Sequence, residues 1–186
     1  MENIGYDIFV FRKSIPFQTI ELCNTIRNES NSDGRIDAND ILMESFNSFI
    51  KELYNDVILD YLKIYDVENG IGYNSSIDTV NEIKEYVSPL WREVFLLKYS
   101  ETYPISYEKN VHWDFSMFTI VGCLNDEFEG GELEFPRQEI SVLLKKGDIV
   151  IFPGGLTHPH FVNKVTKGER YVIVGQTLYP GLNKIK

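Results

Sequence analysis

From Trp91 onward the apolar residues stop recurring at helical intervals and come instead in short runs separated by turn formers. No other feature of the chain constrains its fold as much. Val94 to Leu97 is one such run, and Ser116 to Leu124 is rich in β-formers. Ile140, Val142 and Leu144 alternate, Gly147-Asp148 makes a turn into Ile149 to Phe152, and Tyr171 to Val174 is a last apolar stretch. Short strands with turn signals at close intervals predict an antiparallel barrel or sandwich.

The residues before Trp91 carry a different period. After a short apolar stretch from Tyr6 to Phe11, Pro16 suits a first helical turn, and Phe17, Ile20, Cys23 and Ile26 follow at helical spacing. A polar stretch from Asn28 to Asp37 interrupts it. Leu42, Phe46, Phe49, Leu53, Val57, Tyr61 and Ile64 then recur every three or four residues, a single apolar stripe that must lie against something large, such as a sheet. A Gly/Asn/Ser-rich loop from Gly70 to Ser76 precedes a shorter helix through Ile77, Val80, Ile83 and Val87, which must end before Pro89. The 186 residues suit one domain, in which these helices buttress one sheet.

Composition removes several function classes. With 18 Lys plus Arg against 28 Asp plus Glu the net charge is −10, which disfavours phosphate backbones and anionic membrane surfaces. No apolar run approaches the roughly 18 residues that a membrane helix needs. The acidic Glu2 and Asp7 do not suit a signal peptide, and the two cysteines, Cys23 and Cys123, form neither a metal-ligand spacing nor a disulfide framework. The expectation is a cytoplasmic domain that binds neither nucleic acid nor membrane.

The chain has three histidines, His112, His158 and His160, all in the strand-forming part. On a strand, residues two apart share a face, so His112 and Asp114 can hold one ion together. A histidine arriving from a distant strand, either His158 or His160, would complete two imidazoles and one carboxylate. That set covers one face of an octahedron, leaves three positions open and suits non-haem Fe(II). Arg170 shares a strand face with Val172 and Val174, so its guanidinium would point into an apolar interior and need a partner. A bidentate carboxylate is a good one, and an internal glutamate is the plainer alternative.

Five motifs stand in order: His112-Trp113-Asp114; Leu124-Asn125-Asp126; Phe128-Glu129-Gly130-Gly131-Glu132-Leu133-Glu134-Phe135; Lys146-Gly147-Asp148 running on to Phe152; and the His158/His160 pair followed by Val165 to Arg170. From about Val94 to Gln176 this set resembles the Fe(II)- and 2-oxoglutarate-dependent dioxygenases, most closely their prolyl 4-hydroxylase-like branch. The resemblance implies an α+β fold with a mainly β core, a double-stranded β-helix (jelly roll) buttressed by N-terminal helices. It implies a single domain over residues 1–186, with 1–90 as mainly helical support and 91–180 as the jelly-roll core holding the iron site. It implies Fe(II) on His112, Asp114 and His160, since His160, Val162 and Arg170 fit the family's register. Arg170 would grip the distal carboxylate of 2-oxoglutarate, and Tyr99 would either hydrogen-bond the same ligand or pack as a core aromatic. His158 is then a rim residue or a neighbour of the ligands, with contact to the substrate as the alternative.

The implied activity uses O2 to couple conversion of 2-oxoglutarate to succinate and CO2 with hydroxylation of an unactivated C–H bond, with ascorbate sustaining turnover. A prolyl or other residue in a peptide or protein is the first expectation for the substrate, with Trp113, Tyr103 and Tyr107 as groove-lining candidates. A free amino acid or other small molecule, and a non-catalytic jelly-roll module that only binds a metal or ligand, are the alternatives. The chain departs from the family at Cys123, where tyrosine is common, at Gln176, where tryptophan is common, and in a longer loop between Tyr99 and His112. Two acidic stretches look like cation sites and have plainer explanations. Asp126 to Glu134 suits a turn between strands, and Glu29 to Asp40 matches a calcium loop only in part, with Glu29 first and the short Asp40 last.

Overall fold

The computed structural model describes residues 1–26, 35–36, 50–58, 60–61, 91–102 and 110–177. Eleven strands and one bounded helix lie among them: β1 (Glu2–Gly5), β2 (Ile8–Phe11), α1 (Phe17–Ile26), β3 (Arg35–Ile36), β4 (Trp91–Ser100), β5 (Phe118–Cys123), β6 (Phe128–Gly130), β7 (Leu133–Phe135), β8 (Ile140–Val142), β9 (Ile149–Pro153), β10 (Phe161–Val162) and β11 (Val165–Thr177). The larger sheet has the order β1-β2-β9-β5-β11-β4-β3, with β6 pairing the first part of β11. The smaller has the order β10-β7-β8. Every pairing is antiparallel, and neither sheet closes on itself among the described residues.

The apolar runs are continuous because the central strands of the larger sheet are buried on both faces. Along β9, Ile149 and Ile151 belong to one apolar layer while Val150 and Phe152 belong to the other. The same split separates Tyr171 and Ile173 from Val172 and Val174 on β11. The inner layer also takes Leu133 and Phe135 of β7 and Val142 of β8, so it lies between the two sheets. The outer layer takes Ile20 of α1 and Ile50, Tyr54, Val57, Ile58 and Tyr61 of the helical residues 50–58 and 60–61. Full burial of each such side chain contributes about 1.5–3 kcal/mol, so these two layers hold the sheet in place. Tyr54 donates its hydroxyl to the carbonyl of Ile173 at 3.1 Å, which satisfies a polar group inside the outer layer.

Two features differ from the sequence-based expectation. The stretch from Tyr6 to Phe11, a short apolar stretch in the sequence reading, is not itself part of the helical support, which α1 begins at Phe17. It forms the turn and second strand of a β1–β2 hairpin, and β2 joins the larger sheet beside β9. Asp148 secures this attachment by accepting hydrogen bonds from Arg12 at 2.8 Å and from the backbone of Lys13 at 3.0 Å and Lys145 at 3.2 Å. In addition, the last strand is longer than the apolar stretch from Tyr171 to Val174: β11 runs from Val165 to Thr177, with Arg170 inside it. The helix expected from Ile77 to Val87 and the loop from Gly70 to Ser76 lie outside the described residues, as does most of Glu29 to Asp40. Within the latter, Arg35–Ile36 pair with β4.

Candidate metal and cosubstrate site

His112 and His160 are joined by a single antiparallel bridge rather than by extended strands. The His112 amide donates to the His160 carbonyl at 3.0 Å, and the His160 amide donates to the His112 carbonyl at 2.8 Å. Asp114 follows in the segment before β5, outside regular strand. One ligand-type atom from each of His112, Asp114 and His160 lies within 4.8 Å of the others. The His160 Nε2 atom is 3.5 Å from Asp114 Oδ2, and His112 Nε2 is 3.9 Å from Asp114 Oδ1. Among the described residues this is the one cluster of such groups that could hold a metal ion.

The backbone sets the tautomers. His112 Nδ1 lies 2.8 Å from the carbonyl of Asn110, and His160 Nδ1 lies 3.0 Å from the carbonyl of His158. A carbonyl can only accept, so both Nδ1 atoms carry hydrogen, and both Nε2 atoms turn towards Asp114. Burial holds the His160 imidazole below its ordinary pKa, and Asp114 pulls only partly the other way. Phe152 and Phe135 pack on the His160 ring at 4.8 and 5.9 Å, while His112 is half exposed. The cluster therefore sits at a mouth, with one ligand facing solvent and the others facing inward.

Sequence reasoning missed the hydroxyls that hold Asp114. Thr119 donates to Asp114 Oδ2 at 2.5 Å, and Ser116 lies 2.9 Å from the Thr119 hydroxyl. Thr119 lies between Phe118 and Ile120, which both face the outer layer, so strand alternation was the available signal. Gly154 lets this pair approach, because a Cβ there would overlap the Ser116 hydroxyl and sit 2.8 Å from that of Thr119.

Arg170 is 1% exposed, and its Nε, Nη1 and Nη2 atoms have no hydrogen-bond partner among the described residues. Its guanidinium carbon lies 5.4 Å from the ring centre of Tyr99 and 5.9 Å from that of Phe128, and Tyr99 is its register partner on β4. Among the described residues no glutamate accepts from it. Gly131, at φ +76°, makes room for the side chain, since a Cβ there would lie 2.9 Å from Arg170 Cδ. Cys123, on the neighbouring strand, is fully buried, and burial raises its thiol pKa although the Arg170 charge acts against this.

The remaining candidates are partnered or lie elsewhere. The ring of His158 lies 6.4 Å from Phe135, on the same side of the segment as His160, but it turns to the carbonyl of Tyr6 rather than to Asp114. Acids between Asp126 and Glu134 are taken up locally: Asp126 accepts from the Lys146 amide, Glu129 pairs with Lys167, and Glu134 accepts from Ser141 and Asn163. Gln176 is buried and is the register partner of Thr119. Tyr103 and Tyr107 lie outside the described residues.

Residues 96–176 match the family model described as "2OG-Fe(II) oxygenase superfamily". Procollagen-lysine,2-oxoglutarate 5-dioxygenase 1 of Rattus norvegicus is 33% identical over 105 residues, which cover 48% of this chain and 14% of that protein. The match thus spans about a seventh of this curated relative. A viral collagen prolyl hydroxylase from Paramecium Bursaria Chlorella virus-1 superposes with a TM-score of 0.64 at 14% identity, covering 94% of this chain and 97% of that one. A prolyl-4-hydroxylase from Pseudomonas putida superposes with a TM-score of 0.56 at 16% identity, covering 95% and 94%. At these identities the structural likenesses show the fold, a jelly-roll core.

Proposed function

On the 2OG-Fe(II) oxygenase core of residues 96–176, we propose that this chain is a 2-oxoglutarate-dependent dioxygenase hydroxylating an unactivated C–H bond in a peptide or protein. A prolyl residue is the first candidate and a lysyl residue the second, following the names of the chain's structural and sequence relatives. One observation carries the proposal: the fold holds both the His112–Asp114–His160 cluster and a buried arginine whose guanidinium nitrogens have no hydrogen-bond partner among the described residues.

The donor set fits Fe(II), with two neutral imidazole nitrogens and one carboxylate. The unmet guanidinium fits the distal carboxylate of 2-oxoglutarate, whose two oxygens match its fork. When bound, iron and 2-oxoglutarate would supply the oxidative chemistry, in which O2 delivers one oxygen atom to the substrate C–H and the other to succinate as CO2 leaves. The chain's own groups position these partners. His112, Asp114 and His160 would hold the metal, Thr119 keeps the Asp114 carboxylate oriented, and Arg170 would fix the far end of the cosubstrate. Phe135 and Phe152 pack around His160, which is buried.

The rim favours a peptide over a free amino acid. Trp113 and Phe115, which flank Asp114, are exposed. Large apolar side chains left in solvent beside a reactive centre suit contact with a chain longer than the reacting residue. The net charge of −10 weighs against a nucleic-acid substrate.

The test is succinate formation from 2-oxoglutarate under air with Fe(II), with and without ascorbate, comparing wild type with His160→Ala and prolyl with lysyl peptides. Loss of turnover in the variant is expected. Equal turnover in both proteins would refute His160 as a ligand, and absence of Fe(II)-dependent 2-oxoglutarate binding would favour a binding module without catalysis.

A further inference from the structure

His158 is 5% exposed, and both of its ring nitrogens are engaged. Its Nε2 atom lies 2.6 Å from the carbonyl oxygen of Tyr6, and its Nδ1 atom lies 2.9 Å from the Thr157 hydroxyl. Since the Tyr6 carbonyl can only accept, Nε2 carries hydrogen, and Nδ1 is paired with the Thr157 hydroxyl. The backbone carbonyl of the same residue accepts from His160 Nδ1 at 3.0 Å. A continuous hydrogen-bonded path thus runs from the N-terminal hairpin, through the side chain and then the main chain of His158, to the imidazole facing Asp114. Phe135 reinforces it, with its ring 6.4 Å from that of His158 and 5.9 Å from that of His160.

The hairpin end of the path is well defined. Tyr6 and Asp7, the two residues joining β1 to β2, have φ of +51° and +65°. A two-residue turn with both residues left-handed matches the twist of the strands it joins, and while aspartate tolerates that conformation, an aromatic residue such as Tyr6 does so at a cost. A hydrogen bond from a buried donor to the first carbonyl of that turn holds it in place.

We propose that His158 is a positioning residue for the distal histidine ligand, and that it couples the N-terminal hairpin to metal binding. The proposal rests on the metal-site reading given above. Its side chain pins residue 158 so that its carbonyl orients the His160 ring and keeps hydrogen on Nδ1, leaving Nε2 for the metal. Groups that orient metal-bound histidines in this way typically contribute 10–100-fold to affinity. Coupling is reciprocal, so a metal held by His160 must in turn stabilise the hairpin.

The experiment uses Co(II) as the probe in the full chain, read by its visible absorption and by amide hydrogen exchange across residues 2–11. Wild type should bind Co(II), and binding should slow exchange in the hairpin. His158→Phe keeps a ring beside Phe135 but removes the donor, and should weaken Co(II) binding about 10–100-fold, alter the spectrum and abolish the metal-dependent protection. His158→Gln, with an amide near the Nε2 position, should recover most of both. Wild-type affinity and spectrum in folded His158→Phe would overturn the proposal. Should that variant not fold, Thr157→Val, which removes the partner of Nδ1 from an exposed position, carries the test, and wild-type behaviour there would overturn it equally. Absence of Co(II) binding in wild type, or undiminished binding in Asp114→Ala, would overturn the metal-site reading and this proposal with it.

Discussion

Replacing Arg170 by methionine should make the ligand-free protein more stable while abolishing its response to 2-oxoglutarate. An arginine keeps its charge in a protein, and removing an ion from water costs several kcal/mol unless hydrogen bonds replace the lost hydration. Arg170 is 1% exposed, and its three guanidinium nitrogens have no such bonds among the described residues. The rings of Tyr99 and Phe128, 5.4 and 5.9 Å away, return on the order of 1–2 kcal/mol each. Methionine fills a similar path past Gly131 without the charge, so a net gain of about 1–3 kcal/mol is expected. For a chain of this size that corresponds to roughly 2–4 °C in Tm per kcal/mol. With metal present, 2-oxoglutarate at a hundred times its Kd should stabilise wild type by about 2.7 kcal/mol and leave Arg170→Met unmoved. Chemical denaturation and thermal melts of both proteins, with and without 2-oxoglutarate, measure all four quantities. A variant that is less stable than wild type and still shifts with 2-oxoglutarate would refute both the unmet guanidinium and its assignment to the cosubstrate.

Thr119→Val keeps the shape of the side chain but removes the donor to Asp114, so Co(II) affinity should fall about tenfold or more while the melting curve moves little; unchanged affinity would exclude Thr119 from the site. Gly131→Ala places a methyl 2.9 Å from Arg170 Cδ at a left-handed φ, and should cost about 1–3 kcal/mol and raise the KM for 2-oxoglutarate more than it lowers kcat. A rise in KM no larger than the loss in kcat would show that Arg170 had not been displaced. Cys123 is buried and its thiol pKa is raised above the ordinary 9.0, chiefly by burial. The unfolded chain therefore releases this proton first, and the linked stability, complete below about pH 9, is lost as pH rises from there through the folded-state value. Mass spectrometry of the Cys123 peptide should show alkylation of the native protein at pH 8 only at the rate of unfolding, and rapid labelling would contradict the burial.

The β character of the second half, the pairing of His112 with Asp114 and the inward aim of Arg170 are legible in the residues alone. Two follow from local rules, turn formers between apolar runs and a shared strand face with Val172 and Val174. His112 and Asp114 meet outside regular strand, brought together by closeness in sequence rather than by strand alternation. Tertiary structure decided what those rules leave degenerate. Ile8 to Phe11 is apolar at every position because it is buried on both faces, and such a run has no period to separate strand from helix; only pairing with β9 makes it a strand. His158 and His160 lie on the same side of their segment, so alternation cannot choose between them. The paired amide–carbonyl bonds between His112 and His160 set the register that brings His160 to 3.5 Å from Asp114, while the Tyr6 carbonyl draws the His158 ring away. A contact between residues distant in sequence depends on how strands align, and the alignment depends on burial across the whole sheet rather than on any residue's neighbours in the chain.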